Sequence, residues 1–176
     1  MKEVEICFRI DEDVAKSIRN YFNDFFIKKI IEKDTYFFPP HKDFLMTENG
    51  KENLRIRESE NKNEITYKNV IYNNESYSHA IEKNTNISNV SEMFEILKNL
   101  GFRTHITIKK DREIFDNGKF KITIDNVENL GLFAEIEHKG TENESVLLKE
   151  CMEMAKKLNL ERIEKKGYLR LLEERK

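Results

Sequence analysis

The sequence predicts an α+β protein: a closed eight-stranded antiparallel β-barrel with a charged interior and helices packed outside. Three observations carry that prediction. Six stretches alternate strictly between apolar and polar residues, the period of a strand, in which i, i+2 and i+4 share a face. In five of them the polar partner is mostly charged. About eight candidate strands also favour closure, which removes exposed sheet edges.

The first strand is Glu3-Val4-Glu5-Ile6-Cys7-Phe8-Arg9-Ile10. Asp11-Glu12-Asp13 then opens a helix, since acids suit the exposed N–H groups at its positive end. Val14, Ile18, Tyr21, Phe22, Phe25, Phe26 and Ile30 give it a wide apolar stripe, read as core packing rather than a partner groove. Thr35-Tyr36-Phe37-Phe38 is a short strand ended by Pro39-Pro40, which cannot donate to a ladder. Glu48-Asn49-Gly50-Lys51 turns the chain into Asn53-Leu54-Arg55-Ile56-Arg57. Asn61-Lys62-Asn63 turns it again into Glu64-Ile65-Thr66-Tyr67-Lys68, completing a hairpin. Tyr77 to Lys83 is a strand of less regular polarity.

Ser88 or Ser91 caps a helix through Met93, Phe94, Leu97 and Leu100 that stops at Gly101. Thr104 to Phe115 is a strand, Asp116-Asn117-Gly118 a hairpin turn, and Lys119 to Asp125 the returning strand. Asn129-Leu130-Gly131 leads into Phe133-Ala134-Glu135-Ile136-Glu137. A helix follows from Glu142 to Leu158, with Val146, Leu147, Met154 and Leu158 inward. A last short helix includes Tyr168, Leu169, Leu171 and Leu172. No linker, low-complexity tract or tandem repeat interrupts the pattern, so residues 1–176 are expected to form one domain.

The 176 residues are enough for a real core. Charged residues make up 36%, above the typical value of about 25%, yet the patterned strands argue against disorder. The 31 bases are nearly balanced by 33 acids, for a net charge of −2. A nucleic-acid binder carries a basic surplus or an aromatic stacking motif; neither is present, so no nucleic-acid partner is expected. Cys7 and Cys151 form no CxxC pair, which signals neither a zinc site nor a disulfide framework. His41, His79, His105 and His138 lack ligand spacing and read as surface or strand residues. With no signal-peptide core and no apolar run of about 18 residues, a cytoplasmic protein without a membrane partner is expected.

If helices cover the apolar strand faces, the charged faces lie inside. Unpaired charge in a dry interior is costly, so that interior is wet or holds a charged ligand. Acids cluster on the first and last strands, bases on the middle ones. Arg55 and Arg57 stand about 7 Å apart along one face, a spacing that lets two guanidinium forks grip neighbouring phosphates. Lys110 and Arg112 repeat that spacing, and Arg9, Lys68, Lys121, Glu82 and Asp125 also point inward. Glu3 with Glu5, and Glu135 with Glu137, offer hard oxygen donors for Mg²⁺ or Mn²⁺. A polyanion bridged by divalent metal satisfies both sets. Any single pair could instead be a solvated strand face with cross-strand salt bridges. The sorting by sign across five strands favours a lined cavity. Cys7, with no His beside it in sequence, reads as an inert thiol on its wall.

These residues resemble the CYTH superfamily, the triphosphate tunnel metalloenzymes, and within it the class IV adenylyl cyclase (CyaB-type) branch. Glu3-Val4-Glu5-Ile6-Cys7-Phe8 stands at the family's ExExK signature. Thr35-Tyr36-Phe37, Leu54-Arg55-Ile56-Arg57, Thr66-Tyr67-Lys68 and Lys110-Asp111-Arg112-Glu113 match in order. So do Ile124-Asp125-Asn126-Val127, the run from Leu130 to Glu137, and the closing Tyr168-Leu169. The resemblance implies an eight-stranded tunnel that binds a triphosphate with Mg²⁺ or Mn²⁺, held by Glu3, Glu5, Glu135 and Glu137 with Asp125. Arg9, Arg55, Arg57, Lys68, Lys110, Arg112 and Lys121 are the implied phosphate ligands, and Glu3, Glu5, Lys110 and Arg112 the catalytic set. The implied activity is conversion of ATP to cyclic AMP and pyrophosphate. The alternatives are hydrolysis of tripolyphosphate, thiamine triphosphate or a nucleoside triphosphate, and a non-catalytic triphosphate- or polyphosphate-binding module. A homodimer is implied by analogy alone. Two departures stand out: Cys7 replaces the signature lysine, and Ser78-His79-Ala80-Ile81-Glu82 keeps only the last residue of the branch's Arg-x-Glu-x-Glu.

Overall fold

The computed structural model describes residues 2–44, 50–60, 62–73 and 76–175; the side chains of residues 2, 3, 50, 51, 70–73 and 76–80 lie outside that description. The chain runs through β1 (Lys2–Arg9), α1 (Glu12–Tyr21), β2 (Phe26–Phe38), β3 (Gly50–Ser59), β4 (Asn63–Asn73) and β5 (Ser76–Asn86). It continues through α2 (Val90–Asn99), β6 (Arg103–Asp116), β7 (Phe120–Val127), β8 (Gly131–His138), α3 (Glu144–Lys157), β9 (Ile163–Glu164) and α4 (Tyr168–Glu173). The antiparallel strand order is β5-β4-β3-β2-β6-β7-β8-β1-β9.

This is the expected α+β class, but the sheet has nine strands where a closed barrel of eight was expected, and closure is not established. The additional strand is two residues set against Cys7 and Phe8. A strand that short shows no alternation, which is why sequence reading passed over it.

Two compact units divide the chain: Met1–Lys2 with Glu32–Lys109, and Glu3–Ile31 with Lys110–Lys176. In the second unit, Val4, Ile6 and Phe8 of β1 join Ile122 and Ile124 of β7 and Ala134 and Ile136 of β8 in one buried cluster. Ala15, Ile18 and Phe22 cover it from α1, and Leu147, Cys151, Met154 and Ala155 from α3. In the first unit, Phe37 and Ile56 pack with Ile87 and with Leu97 of α2. Both cores lie on the apolar strand faces, as alternation dictates.

Local signals were misread at three places. The first helix was expected to reach Ile30; instead α1 ends at Tyr21, a 3₁₀ turn spans Asn23–Phe25, and β2 begins at Phe26. Phe26, Ile27, Ile30 and Ile31 satisfy a helical stripe, but the β-branched isoleucines pair more readily in an extended strand. Ile18 and Phe22 are buried while Tyr21, Phe25 and Phe26 are exposed, so the stripe is only partly core. At α2 the cap is Asn89, whose side chain accepts from Glu92 N, rather than Ser88 or Ser91. On α3, Val146 is exposed, and the inward row is Leu147, Cys151, Met154 and Leu158.

Asp11 caps α1 as its acids suggest, accepting from Val14 N at 2.9 Å. Asp116-Asn117-Gly118 connects β6 to β7, with Gly118 at φ 86°, a conformation that glycine adopts without strain. Part of the Glu48–Lys51 turn, and Asn61 of the next, lie outside the described residues. No described helix is long and apolar enough to cross a membrane.

Candidate active site

In the first unit the strand register lays three rows across one face: Asp34, Arg57 and Glu64; Tyr36, Arg55 and Thr66; Asn53, Lys68 and Glu82. Arg57 donates from Nε to Asp34 Oδ1 at 2.6 Å and from Nη2 to Oδ2 at 2.7 Å. Asp34 is 1% exposed, so this carboxylate is a buried anchor for the guanidinium. Glu32 Oε2 adds an ion pair to Arg57 Nη1 at 3.3 Å.

Arg55 is held more loosely, 3.7 Å from Asp34 Oδ2 and 3.9 Å from Glu82 Oε1. Its buried Nε has no hydrogen-bond partner, and its hydrogen bond runs to Tyr36. Burial pulls the Arg55 pKa down, but Asp34, Tyr36 and Glu82 together hold it above its ordinary value. Lys68 Nζ lies 3.5 Å from Glu82 Oε2.

The second unit uses the same device with a different rim. Arg112 donates from Nε to Asp125 Oδ1 at 2.6 Å and from Nη2 to Oδ2 at 2.5 Å. The same Nη2 also donates to Glu135 Oε2 at 2.6 Å. Asp125 is fully buried, at 0% exposure, and Lys110 Nζ approaches its Oδ2 at 3.9 Å. Lys121 Nζ donates to Glu137 Oε2 at 2.6 Å, and Thr123 Oγ1 to Glu135 Oε2 at 3.3 Å. Burial lowers the Lys121 pKa, but Glu137 more than reverses this and the ammonium stays charged. Arg9 lies over the Phe133 ring, 4.7 Å from its centroid, and donates to Leu130 O at 3.1 Å.

Tyr168 joins this face from the start of α4. Its phenol donates to Asp125 Oδ2 at 3.0 Å and sits 3.9 Å from Cys7 Sγ. Burial and the neighbouring Glu135 push the Cys7 thiol well above its ordinary pKa, which disfavours the reactive thiolate. Cys7 and Cys151 are both free thiols.

Thus Arg55, Arg57 and Lys68 share one face in the first unit. Glu5, Lys110, Arg112, Lys121, Asp125, Glu135 and Glu137 share one in the second, with Arg9 along its strand. The Glu3 side chain lies outside the described residues. Charges were expected to be sorted by sign; the structure instead sets each base against an acid on a neighbouring strand. Cross-strand salt bridges therefore do form, but the anchoring aspartates are buried rather than solvated. Sequence reading missed Asp34, Glu32 and Tyr168. Asp34 and Tyr36 are two apart in one strand, and that alternation was the available signal.

The donor chemistry of the second unit fits a divalent cation. Glu5 stands directly opposite Glu137, a like-charge cross-strand pair that a bound cation would relieve, and Glu135 lies two residues along. The Glu135 and Glu137 side chains keep 20% and 23% exposure. Among the described residues, however, no group of three or more His, Cys, Asp or Glu is arranged to hold a metal. Glu135 and Glu137 rest on Arg112 and Lys121, and Asp125 is turned to the bases.

Buried aspartates that fix arginines, beside part-exposed carboxylates on one face of an antiparallel sheet, make a cluster of oriented cations with the chemistry of an anion site. A model of the CYTH domain matches residues 1–168. The chain belongs to the CYTH family, whose members bind triphosphates and are metal-dependent in general. It is 35% identical, over 97% of its length and 98% of the relative's, to a Methanocaldococcus jannaschii protein whose name proposes an adenylate cyclase. A solved Pyrococcus horikoshii structure superposes with a TM-score of 0.84 at 28% identity, covering 99% of each chain. A Hippeastrum protein, proposed as an adenylyl cyclase but with dominant triphosphatase activity, shares the fold at a TM-score of 0.69 and 16% identity, over 99% of this chain and 96% of that one.

Proposed function

We propose that this protein is a metal-dependent enzyme acting on a nucleoside triphosphate, converting ATP to cyclic AMP and pyrophosphate. One observation carries the reading: Arg112 is fixed from behind by the buried Asp125 while its Nη2 reaches the part-exposed Glu135. A guanidinium held that way keeps its direction when the outer carboxylate is drawn elsewhere.

In this reading Glu5, Glu135 and Glu137 would hold Mg²⁺ or Mn²⁺. The bound cation supplies charge neutralisation and a lowered pKa for the ribose 3′-hydroxyl. Arg112 and Lys121 then exchange carboxylate for phosphate oxygens, with Lys110 on the same face, while Arg55, Arg57 and Lys68 are a second set of phosphate ligands on the face of the first unit. These cations stabilise charge that develops when the 3′-oxygen bonds to the α-phosphorus, the bridge to the β-phosphate breaks and pyrophosphate departs. The hydroxyl proton leaves to solvent.

A second reading, hydrolysis of a triphosphate by water at the terminal phosphorus, is favoured by Cys7, which removes one cation from the face. Incubation with ATP, thiamine triphosphate and tripolyphosphate, each with Mg²⁺ or Mn²⁺, followed by anion-exchange chromatography, separates the two. Cyclic AMP with pyrophosphate supports the cyclase. Orthophosphate supports the hydrolase, and metal-dependent binding without turnover supports a binding module. A Glu5→Ala/Glu137→Ala variant is the control.

A further inference from the structure

We propose that Tyr168 is a positioning residue for the phosphate-binding cations, making α4 part of the site; this rests on the triphosphate reading above. Asp125 Oδ2 faces three donors: Arg112 Nη2 at 2.5 Å, the Tyr168 phenol at 3.0 Å and Lys110 Nζ at 3.9 Å. The two closest form hydrogen bonds, and Lys110 stands outside that range. The phenol thus takes a share of Asp125 that would otherwise draw the ammonium into a tight ion pair. Lys110, only 4% exposed, stands 3.9 Å from that oxygen rather than in hydrogen-bond contact with it.

Packing fixes the phenol in this role. The Tyr168 ring lies 4.9 Å from the Phe133 ring, and Lys110 Nζ is 5.6 Å from the Tyr168 centroid, so the ammonium also has the ring's negative face as a neighbour. Burial, Glu135 and Asp125 raise the phenol's pKa well above its ordinary value, so it remains a donor. Cys7 Sγ, 3.9 Å from the same hydroxyl, is a weak partner, which leaves Asp125 as the acceptor that orients it.

Tyr168→Phe tests this, because it keeps the ring packing and deletes only the hydroxyl. Binding of tripolyphosphate with Mg²⁺ or Mn²⁺ is measured by titration calorimetry on the full chain, with thermal melting in parallel. Loss of a charge-assisted hydrogen bond at the anchor is expected to raise Kd about 5- to 10-fold, with melting almost unchanged. The same substitution in a Lys110→Ala background is expected to change Kd by less than about twofold, since the ammonium it positions is gone.

Wild-type protein that does not bind tripolyphosphate at all overturns the triphosphate reading, and this proposal with it. Wild-type binding with an unaffected Tyr168→Phe variant overturns the proposal alone. An equal loss in both backgrounds also overturns it, because the hydroxyl then acts without Lys110.

Discussion

The two units solve the same problem with different rims. In each, a buried aspartate takes an arginine through both of its oxygens: Asp34 with Arg57, and Asp125 with Arg112. In the first unit the remaining acids near the guanidiniums, Glu32 and Glu82, are enclosed with them. In the second, Glu135 and Glu137 keep an open side. Enclosed acids can only brace; part-exposed ones can change partner. The first face therefore offers fixed cations, and the second offers fixed cations with exchangeable oxygens, which is why the proposed chemistry is assigned to it.

The sharpest test of that contrast is the pair of acid replacements on the open side. Glu5→Ala/Glu137→Ala is expected to lower turnover at least about 1,000-fold, in line with removing principal electrostatic groups, and to leave the melting temperature within a few degrees. Glu82→Gln in the first unit should weaken binding without changing the metal requirement. Equal metal dependence of both variants would erase the distinction between the units.

Breaking either buried pair is expected to cost folding rather than chemistry first. Arg57→Ala and Arg112→Ala each leave an aspartate buried without its arginine, at about 3–5 kcal/mol by denaturant titration. Arg55→Ala separates the roles within one face. Its acid partners lie beyond hydrogen-bond range and its hydrogen bond is to neutral Tyr36, so the loss of stability should be smaller than for Arg57→Ala while triphosphate Kd rises about 10-fold, the effect of losing a charge-assisted contact.

Cys7 offers a smaller test. Because its thiol titrates well above the ordinary value, iodoacetamide labelling of the native protein should stay slow through pH 9 and accelerate only above it. Labelling at the rate of an exposed thiol would show that the face is not closed over by Tyr168 and Glu135. The smallest expected effects are at the helix caps. Asp11→Ala in the second unit and Asn89→Ala in the first should each cost about 1 kcal/mol, with activity intact.

How much of this could be read from the chain follows from what alternation records. Arg55, Arg57, Glu135 and Glu137 were legible because each lies in a strand whose other face is apolar, so period 2 assigned them a common side; Lys110 and Arg112 were legible only by repeating the two-residue spacing of Arg55 and Arg57, since Lys109, Asp111 and Glu113 make their strand's other face charged as well. Asp34 was not, because Phe26-Ile27-Lys28-Lys29-Ile30-Ile31 does not alternate and hid the beginning of β2. Tyr168 was read as one apolar position of a short helix; only tertiary packing brings its hydroxyl to Asp125, 43 residues away in sequence. Cross-strand salt bridges were weighed as the alternative for any single pair, but which acid meets which base escaped, since register depends on strand neighbours that no local pattern specifies.

The buried aspartates bear on when order is imposed. A free arginine side chain must give up several rotatable bonds to grip a phosphate, at roughly 2 kcal/mol of rotamer entropy. Asp34 and Asp125 settle those torsions while the chain folds. Association then needs little freezing of Arg57 or Arg112, and the affinity of these faces should owe more to favourable entropy than their charge alone would suggest.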